Sequence, residues 1–468
     1  GCIQECKIVK PWMAGSWVTD SRSQRALDVI LGGSMKARLL LFASILLFAA
    51  GAAALAGQVT RHAIGPTDVA LAKNNHPGEP NEVITFYADV ASIVQQKCQR
   101  CHRPNASGPF SLINYEEIEA RTEAIRFVLE EKIMPPWYIE PGYGPWANDF
   151  GLSDEERAKI LAWIDSGSIK GNPEDAPEPI EYTDGWTISE PDAVISIPDP
   201  INIRADGYMD YIYVYQKTDF PEDRWVTEVE IRPTAPQVTH HVEIFLESPE
   251  VLRNIRNAET REERNYWRRQ FAGGLNTFFA ADVPGAQGLK FPAGMAKLLP
   301  AGAWIKFQLH YTPNGREAID QTEVGFVFAD EPPHREVQTR AAFNTRFRIP
   351  PGAKDYKISG EYEFNEDGAI LSLMPHTHLR GTGFLYELIY PDGRIEKILP
   401  VPRYDFNWQL NYFFETPLAV PAGSKLRATG WFDNSADNPA NPDPTREVPF
   451  GEQTWDEMMI GFFNWIKH

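Results

Sequence analysis

Two groups of residues in this chain have the types and spacing that chemistry requires. Cys98-Gln99-Arg100-Cys101-His102 is a CxxCH run. Two cysteines about one helical turn apart can form two thioether bonds to one porphyrin, and the adjacent histidine then falls under the iron as proximal ligand. Further along stand His240-His241, His310, His376-Thr377-His378 and Met458. Five imidazoles and a thioether are soft-to-borderline donors, and as two sets of three they can hold two copper ions with positions left open for oxygen chemistry.

The CxxCH run has no second cysteine pair of zinc type to accompany it, so covalent haem c is the expected cofactor; the alternative is a redox dithiol beside a coincidental histidine. For the sixth iron ligand the expectation is Met134, in Lys132-Ile133-Met134-Pro135-Pro136-Trp137, where the prolines end the preceding helix and can hold an extended loop against the haem. A thioether there raises the reduction potential, which suits a domain accepting electrons from other carriers. The competing reading makes Met134 a core residue, with His62 and His76 as outside options. The stretch from the CxxCH run through Gly108-Pro109-Phe110-Ser111-Leu112, Met134-Pro135-Pro136-Trp137 and Leu152-Ser153-Asp154-Glu155-Glu156 resembles the monohaem c-type cytochrome domains of bacterial exported proteins.

The elements that must position these residues follow from composition and periodicity. At 468 residues, 43% hydrophobic and 12% aromatic, the chain can fill more than one core, and three folded units are expected. A formal charge of −19 repels phosphates, which excludes nucleic acid and anionic lipid as natural partners. Met35-Lys36-Ala37-Arg38, an uncharged apolar run and Ala54-Leu55-Ala56 form a signal peptide over 35–56, with cleavage before Gly57. The expected location is periplasmic or secreted, with no stable membrane insertion after cleavage; the alternative is an uncleaved anchor, since about 18 apolar residues just span a bilayer. Residues 1–34, with Cys2 and Cys6, are an upstream segment outside the fold, so the mature chain has no cysteine left for disulfides.

Residues 57–82 read as a linker, and 83–172 as a small all-α cytochrome c domain with helical spacing over 115–132 and 153–166. Ser153 with Glu156 makes a capping box. A proline- and acid-rich linker over 173–189 leads to short alternating runs at 211–215, 226–231, 242–246, 305–311, 371–374 and 384–390, separated by turn residues, which indicates antiparallel sandwiches. Residues 250–270 form a charged insertion of helical spacing, and 329–335 divides the β region into 190–330 and 331–468. The expected fold is therefore multidomain: the all-α unit followed by two all-β, jelly-roll-like sandwiches.

Strand alternation assigns faces. Ile305, Phe307, Leu309 and Tyr311 share one side and leave His310 opposite, beside Lys306 and Gln308. His376 and His378 share a face at chelating distance, away from Leu371 and Leu373. His240 falls in register with Val238, Val242 and Ile244, so on a regular strand it reads as a core histidine pointing away from His241. A strand end or bulge would turn both rings to one metal. Between Met458 and Met459 periodicity gives no choice, because both faces of 458–463 are apolar.

The order His-His, His-Tyr, His-Thr-His, Asp456-Glu457-Met458 across two β blocks resembles the copper type II ascorbate-dependent monooxygenases, the family of peptidylglycine α-hydroxylating monooxygenase and dopamine β-monooxygenase. The resemblance spans about residues 190–468. It implies an electron-transfer copper on His240, His241 and His310 and an oxygen-activating copper on His376, His378 and Met458, where a soft thioether favours Cu(I). The arginine, asparagine and tyrosine with which the peptide-amidating member holds its substrate carboxylate are here Met374, Ile460 and Phe462, and the disulfides of the animal enzymes are absent. The function expected is a copper monooxygenase that hydroxylates a C–H bond of a small substrate with O₂. Electrons come from ascorbate or a periplasmic redox carrier through the fused haem. The alternatives are a haem and copper electron-transfer or copper-binding protein without oxygenase activity, and a zinc hydrolase, for which Met458 is a poor ligand.

Overall fold

The computed structural model describes residues 83–182, 185–247, 253–254, 256–263 and 277–468. The expected signal peptide, residues 1–34 and 57–82 with Cys2, Cys6, His62 and His76, and most of the 250–270 insertion lie outside the described residues. Among the described residues no helix is long and apolar enough to cross a membrane.

The described residues begin with a π-helical turn, Phe86–Val90, that runs into the Ala91–Lys97 helix and delivers Cys98 at its C-cap. The helical spacing of 115–132 resolves into two helices, Tyr115–Glu119 and Thr122–Glu130. The break has a local cause: the Arg121 N–H closes back on the Ile118 carbonyl at 3.0 Å, an i to i−3 bond that ends the first helix. The fourth helix, Asp154–Asp165, starts on the reciprocal capping box of Ser153 and Glu156. Val90, Ile118, Ile160 and Trp163 bury the shared face.

The β region contains several sheets. In its first half Ile212–Lys217, Trp304–Tyr311, Thr239–Glu247 and Phe278–Asp282 form one sheet in that order. Val242, Ile244, Ile305 and Phe307 from this sheet pack against Val226, Val229 and Phe326 of a second sheet. In the second half Tyr356–Glu363, Lys425–Phe432, Gly381–Ile389 and Ile395–Val401 form another four-stranded sheet. Its Tyr386, Leu388 and Leu426 meet Leu373, Phe463 and Trp465 in a separate core.

Period-2 patterning does not announce how the halves connect. The second sheet of the first half, ending at Met295–Leu299, continues through Arg335–Phe343, Ile460–Lys467, Gly368–His376 and Tyr412–Val420 as one nine-stranded sheet. The junction is a short parallel ladder, Arg335 with Met295 and Glu336 with Ala296. Across this seam runs a buried polar row. Lys297 Nζ donates to the Phe279 carbonyl and to Thr339 Oγ1, both at 2.6 Å, Thr339 Oγ1 donates to Asn464 Oδ1 at 2.7 Å, and Asn464 Nδ2 donates to Ser372 Oγ at 3.0 Å. Every member of the row is satisfied, which is the condition for polar groups to be tolerated inside.

Residues 137–150, between the third and fourth helices, leave the helical core and lie on the second β half. Tyr138, Trp146 and Phe150 are buried in that half's core. The Ala147 N–H donates to the Phe413 carbonyl at 2.8 Å, and Asn148 clamps the same strand end by donating to the Asn411 carbonyl at 2.7 Å and accepting from the Phe413 N–H at 3.1 Å.

Candidate functional site

The CxxCH run folds as a tight turn off the Ala91–Lys97 helix, with the Cys101 and His102 N–H groups both returning to the Cys98 carbonyl at 3.2 and 3.0 Å. His102 Nδ1 lies 3.1 Å from the Phe110 carbonyl, which can only accept, so Nδ1 carries the proton and Nε2 is left with its lone pair for a metal. Gly108 makes this approach possible: a Cβ there would stand 2.6 Å from the Cys101 carbonyl oxygen and 2.9 Å from His102 Nδ1. Burial pushes the Cys98 thiol up to about 12 and raises that of Cys101. A reactive dithiol needs the opposite shift, so these buried sulfurs suit thioether bonds better than disulfide exchange. Met134 is half-buried beyond the Thr122–Glu130 helix, and no hydrogen bond or ring contact joins it to His102 among the described residues.

His240, His241 and His310 converge. The Thr239–Glu247 strand pairs with Trp304–Tyr311 so that Thr239 faces Tyr311 and His241 faces His310, which leaves His240 as the extra residue of a β-bulge. The bulge turns the His240 ring out of the alternation, and the three rings lie 4.7 to 5.1 Å apart by centroid. Each offers a ring nitrogen within 4.8 Å of the others. Burial pushes His240 down to about 4 and His310 to about 2, and holds His241 well below the usual range with its neighbouring histidines adding to the effect. All three are neutral at pH 7 and keep a lone pair. His240 Nε2 donates to Asn407 Oδ1 at 3.2 Å, so its Nδ1, 2.9 Å from His241 Nδ1, presents the lone pair inward. His241 Nε2 and His310 Nδ1 are buried without any hydrogen-bond partner. An orphaned buried polar atom costs about 1–3 kcal/mol, a cost that ligation would remove where the orphaned atom carries the lone pair.

His376 ends the Gly368–His376 strand opposite Ile460. The ladder ends there, and Met458, just beyond it, packs with Met374, Ile460 and Phe462 on the same face as His376. Met459 points the other way and is fully buried in the core of the second half, whereas Met458 is half-buried among Phe245, Phe278, Met374, Ile460 and Phe462. His376 Nδ1 lies 2.5 Å from Gln409 Oε1 and His378 Nδ1 lies 3.3 Å from the Asp456 carbonyl, so both rings keep Nε2 free. Burial pushes them down to about 4 and about 3. Glu457 ties this corner together, accepting from the His378, Arg380 and Met458 N–H groups at 2.8, 2.7 and 3.2 Å. Burial nonetheless pushes its carboxyl up to about 7.

The two sets come from different halves of the β region and meet across one loop. Phe406 stacks on His240 at 4.8 Å and stands 6.3, 6.1 and 5.9 Å from His241, His310 and His378. Gln409 reaches from His376 toward His241 Nδ1, 3.5 Å away. Sequence reasoning gave Glu457 no role beyond its place in Asp456-Glu457-Met458 and passed over Phe406, Asn407 and Gln409. The only signal was the run Tyr404-Asp405-Phe406-Asn407-Trp408-Gln409, rich in aromatic and amide groups yet without strand period, the composition of a loop with work to do. Beside this neighbourhood a cavity of about 480 Å³ is walled by Phe278, Leu371, Met374 and Gln409 from the β halves and by Arg100 and Phe150 from the N-terminal unit.

Residues 87–168 match the family model of cytochrome c, so the chain contains a cytochrome c domain, which implies a covalently bound haem c. The CxxCH geometry fits that group. No curated protein matches the chain. Solved structures with some likeness include the major capsid protein P2 of bacteriophage PM2, at 8% identity and a TM-score of 0.23 over 59% of this chain and 97% of that one. PNGF-II shows 9% identity and a TM-score of 0.22 over 59% and 65% of the two chains. The tandem CBM22 domain of Paenibacillus barcinonensis Xyn10C shows 10% and 0.15 over 58% and 92%.

Proposed function

We propose that the chain is an exported, copper-dependent monooxygenase that hydroxylates a C–H bond of a small substrate, with the fused cytochrome c domain as electron input. On this reading the two β halves are the jelly-roll-like sandwiches of the copper type II ascorbate-dependent monooxygenases. The observation that carries it is the set of five buried, neutral histidines: His240, His241 and His310 with ring nitrogens within 4.8 Å of one another, and His376 and His378 with rings 5.3 Å apart on the side where Met458 packs beside Met374 and Phe462. His240, His241 and His310 would hold one copper, and His376, His378 and Met458 the other. Copper in these sites supplies one-electron redox chemistry and a place for oxygen to bind.

The chain's own residues do the remaining work. Gln409 and the Asp456 carbonyl fix the protonated nitrogens of His376 and His378, and Glu457 holds His378 and Met458 in mutual register. The cavity beside Met374 would hold the substrate between apolar groups such as Phe278, Leu371 and Met374 and polar ones such as Arg100, Lys290 and Gln409, and Met374, Ile460 and Phe462 offer no charge to a carboxylate. The reaction balances as substrate C–H, O₂, two electrons and two protons giving C–OH and water, so a one-electron haem turns over twice per product, with ascorbate or a periplasmic carrier as the source. The test is copper and haem analysis followed by a substrate screen under ¹⁸O₂ with the haem pre-reduced. Two copper equivalents and one labelled oxygen in a product are expected.

One observation favours a second reading: Phe406 and Gln409 fill the space between the histidine sets. This suits an electron-transfer protein that never admits a substrate. A copper-loaded, haem-reduced protein that leaves every product unlabelled decides for it.

A further inference from the structure

The loop that carries the CxxCH run meets the first β half at two points. Gly285, with φ of +84°, comes so close that a Cβ on it would stand 2.9 Å from Cys101 Sγ. Gln237 Nε2 donates to the Ala106 carbonyl at 3.4 Å. The two points lie at the same end of two paired strands. Gly285 lies in the 283–288 turn that follows the Phe278–Asp282 strand, and Asp282 of that strand is paired with Val242, the neighbour of His241. Gln237 stands three residues before His240 on the same chain. On the other flank Asn148, through Asn411 and Phe413, fixes the 137–150 arm to the second half. The cytochrome domain is thus seated, with the sulfur of Cys101 turned toward the sheet that bears the three-histidine set.

We propose that the 283–288 turn is the electron inlet of the β region, leading to the set His240, His241 and His310 that the family resemblance already marks for electron transfer. This rests on the copper reading above. A haem held by Cys98, Cys101 and His102 would give up one electron and a copper held by the three histidines would accept it, with the hydrogen-bonded Phe278–Asp282 and Thr239–Glu247 ladder as the route between them and no atom transferred. Gly285 is the positioning residue. Any side chain there pushes the Cys101 edge away, and its positive φ disfavours an L-residue as well.

The experiment uses full-length protein carrying haem and Cu(II). A photoreductant flash reduces the haem, and haem reoxidation is followed optically alongside loss of the Cu(II) spin signal. The parent is expected to show a first-order phase independent of protein concentration. Gly285→Val should lose that phase and keep only a slower, concentration-dependent one, with haem content, copper content and haem potential unchanged. Should that variant fail to fold, Gly285→Ala and Gln237→Ala read the same quantity. Parental rates in both overturn the proposal. His310→Ala should abolish the fast phase, and its survival there with loss in His376→Ala would give the electron the other destination and overturn the assignment. A parent without bound copper is a failure of the proposed function itself. A parent with both coppers and normal oxygen consumption but no intramolecular phase overturns only the inlet.

Discussion

Adjacent methionines on one strand end make a sharp test of the metal assignment, because they face opposite ways. Met459 is fully buried in the core of the second half, against Gly430 and its neighbours. Truncating it to alanine leaves a cavity that the surrounding sheet cannot collapse into, which costs on the order of 2–5 kcal/mol. For a unit of this size that lowers Tm by about 2–4 °C per kcal/mol. Its side chain lies in that core rather than with Met458, Met374 and Phe462, so copper bound per folded molecule should not change. Met458 is half-buried beside Met374, Ile460 and Phe462, and extending the register that pairs His376 with Ile460 would set it opposite His378. Met458→Ala should lower Tm less while removing the soft ligand, so that Cu(I) at His376 and His378 is given up to a competing chelator at concentrations the parent withstands. Thermal unfolding monitored by circular dichroism gives the first quantity and Cu(I) competition titration the second. If Met459→Ala loses Cu(I) while Met458→Ala holds it at parental affinity, the extrapolated register is off by one and the reasoning fails.

Other outcomes are equally specific. Cys98→Ala with Cys101→Ala should yield protein without covalent haem, judged by haem stain after denaturation, while the β region binds copper as before. If Met134 is the sixth ligand, Met134→Ala should lower the haem potential and admit carbon monoxide to the ferrous protein; an unchanged spectrum and potential assigns that position to another residue. Burial pushes Lys297 from 10.5 down to about 7. Between those values the unfolded chain binds a proton that the folded one does not, so stability rises with pH across that window. Lys297→Met should flatten the rise, and denaturant midpoints measured from pH 7 upward that climb as steeply as the parent's would refute it.

What the sequence disclosed was whatever depends on near neighbours in the chain. The CxxCH turn, the Ser153 and Glu156 capping box and the shared face of His376 and His378 are set within five residues, where helical and strand periods apply directly. The bulge at His240 depends on which strand lies beside it, and His310 is far away in sequence, so alternation could only leave the two orientations open. Which of Met458 and Met459 faces the His376 side likewise depends on the partner strand. The break at Arg121 hid because its apolar spacing continues through it. The 137–150 arm hid because its aromatic residues find their core in another part of the chain. Gln409 and Glu457 act by reaching across the fold, which no local pattern records.

The short parallel ladder between Met295–Leu299 and Arg335–Phe343 bears on how the molecule can be taken apart. Cutting the chain at 329–335 looks like a clean way to obtain each β half by itself. It would instead strip both strands of a neighbour and leave two raw edges whose unpaired N–H and C=O groups can recruit strands from other copies. Lys297 would lose Thr339 at the same stroke, leaving an amine in the first fragment short of an acceptor. Fragments made there are prone to self-association, and soluble pieces are better sought by weakening individual ligands in the intact chain than by dividing it.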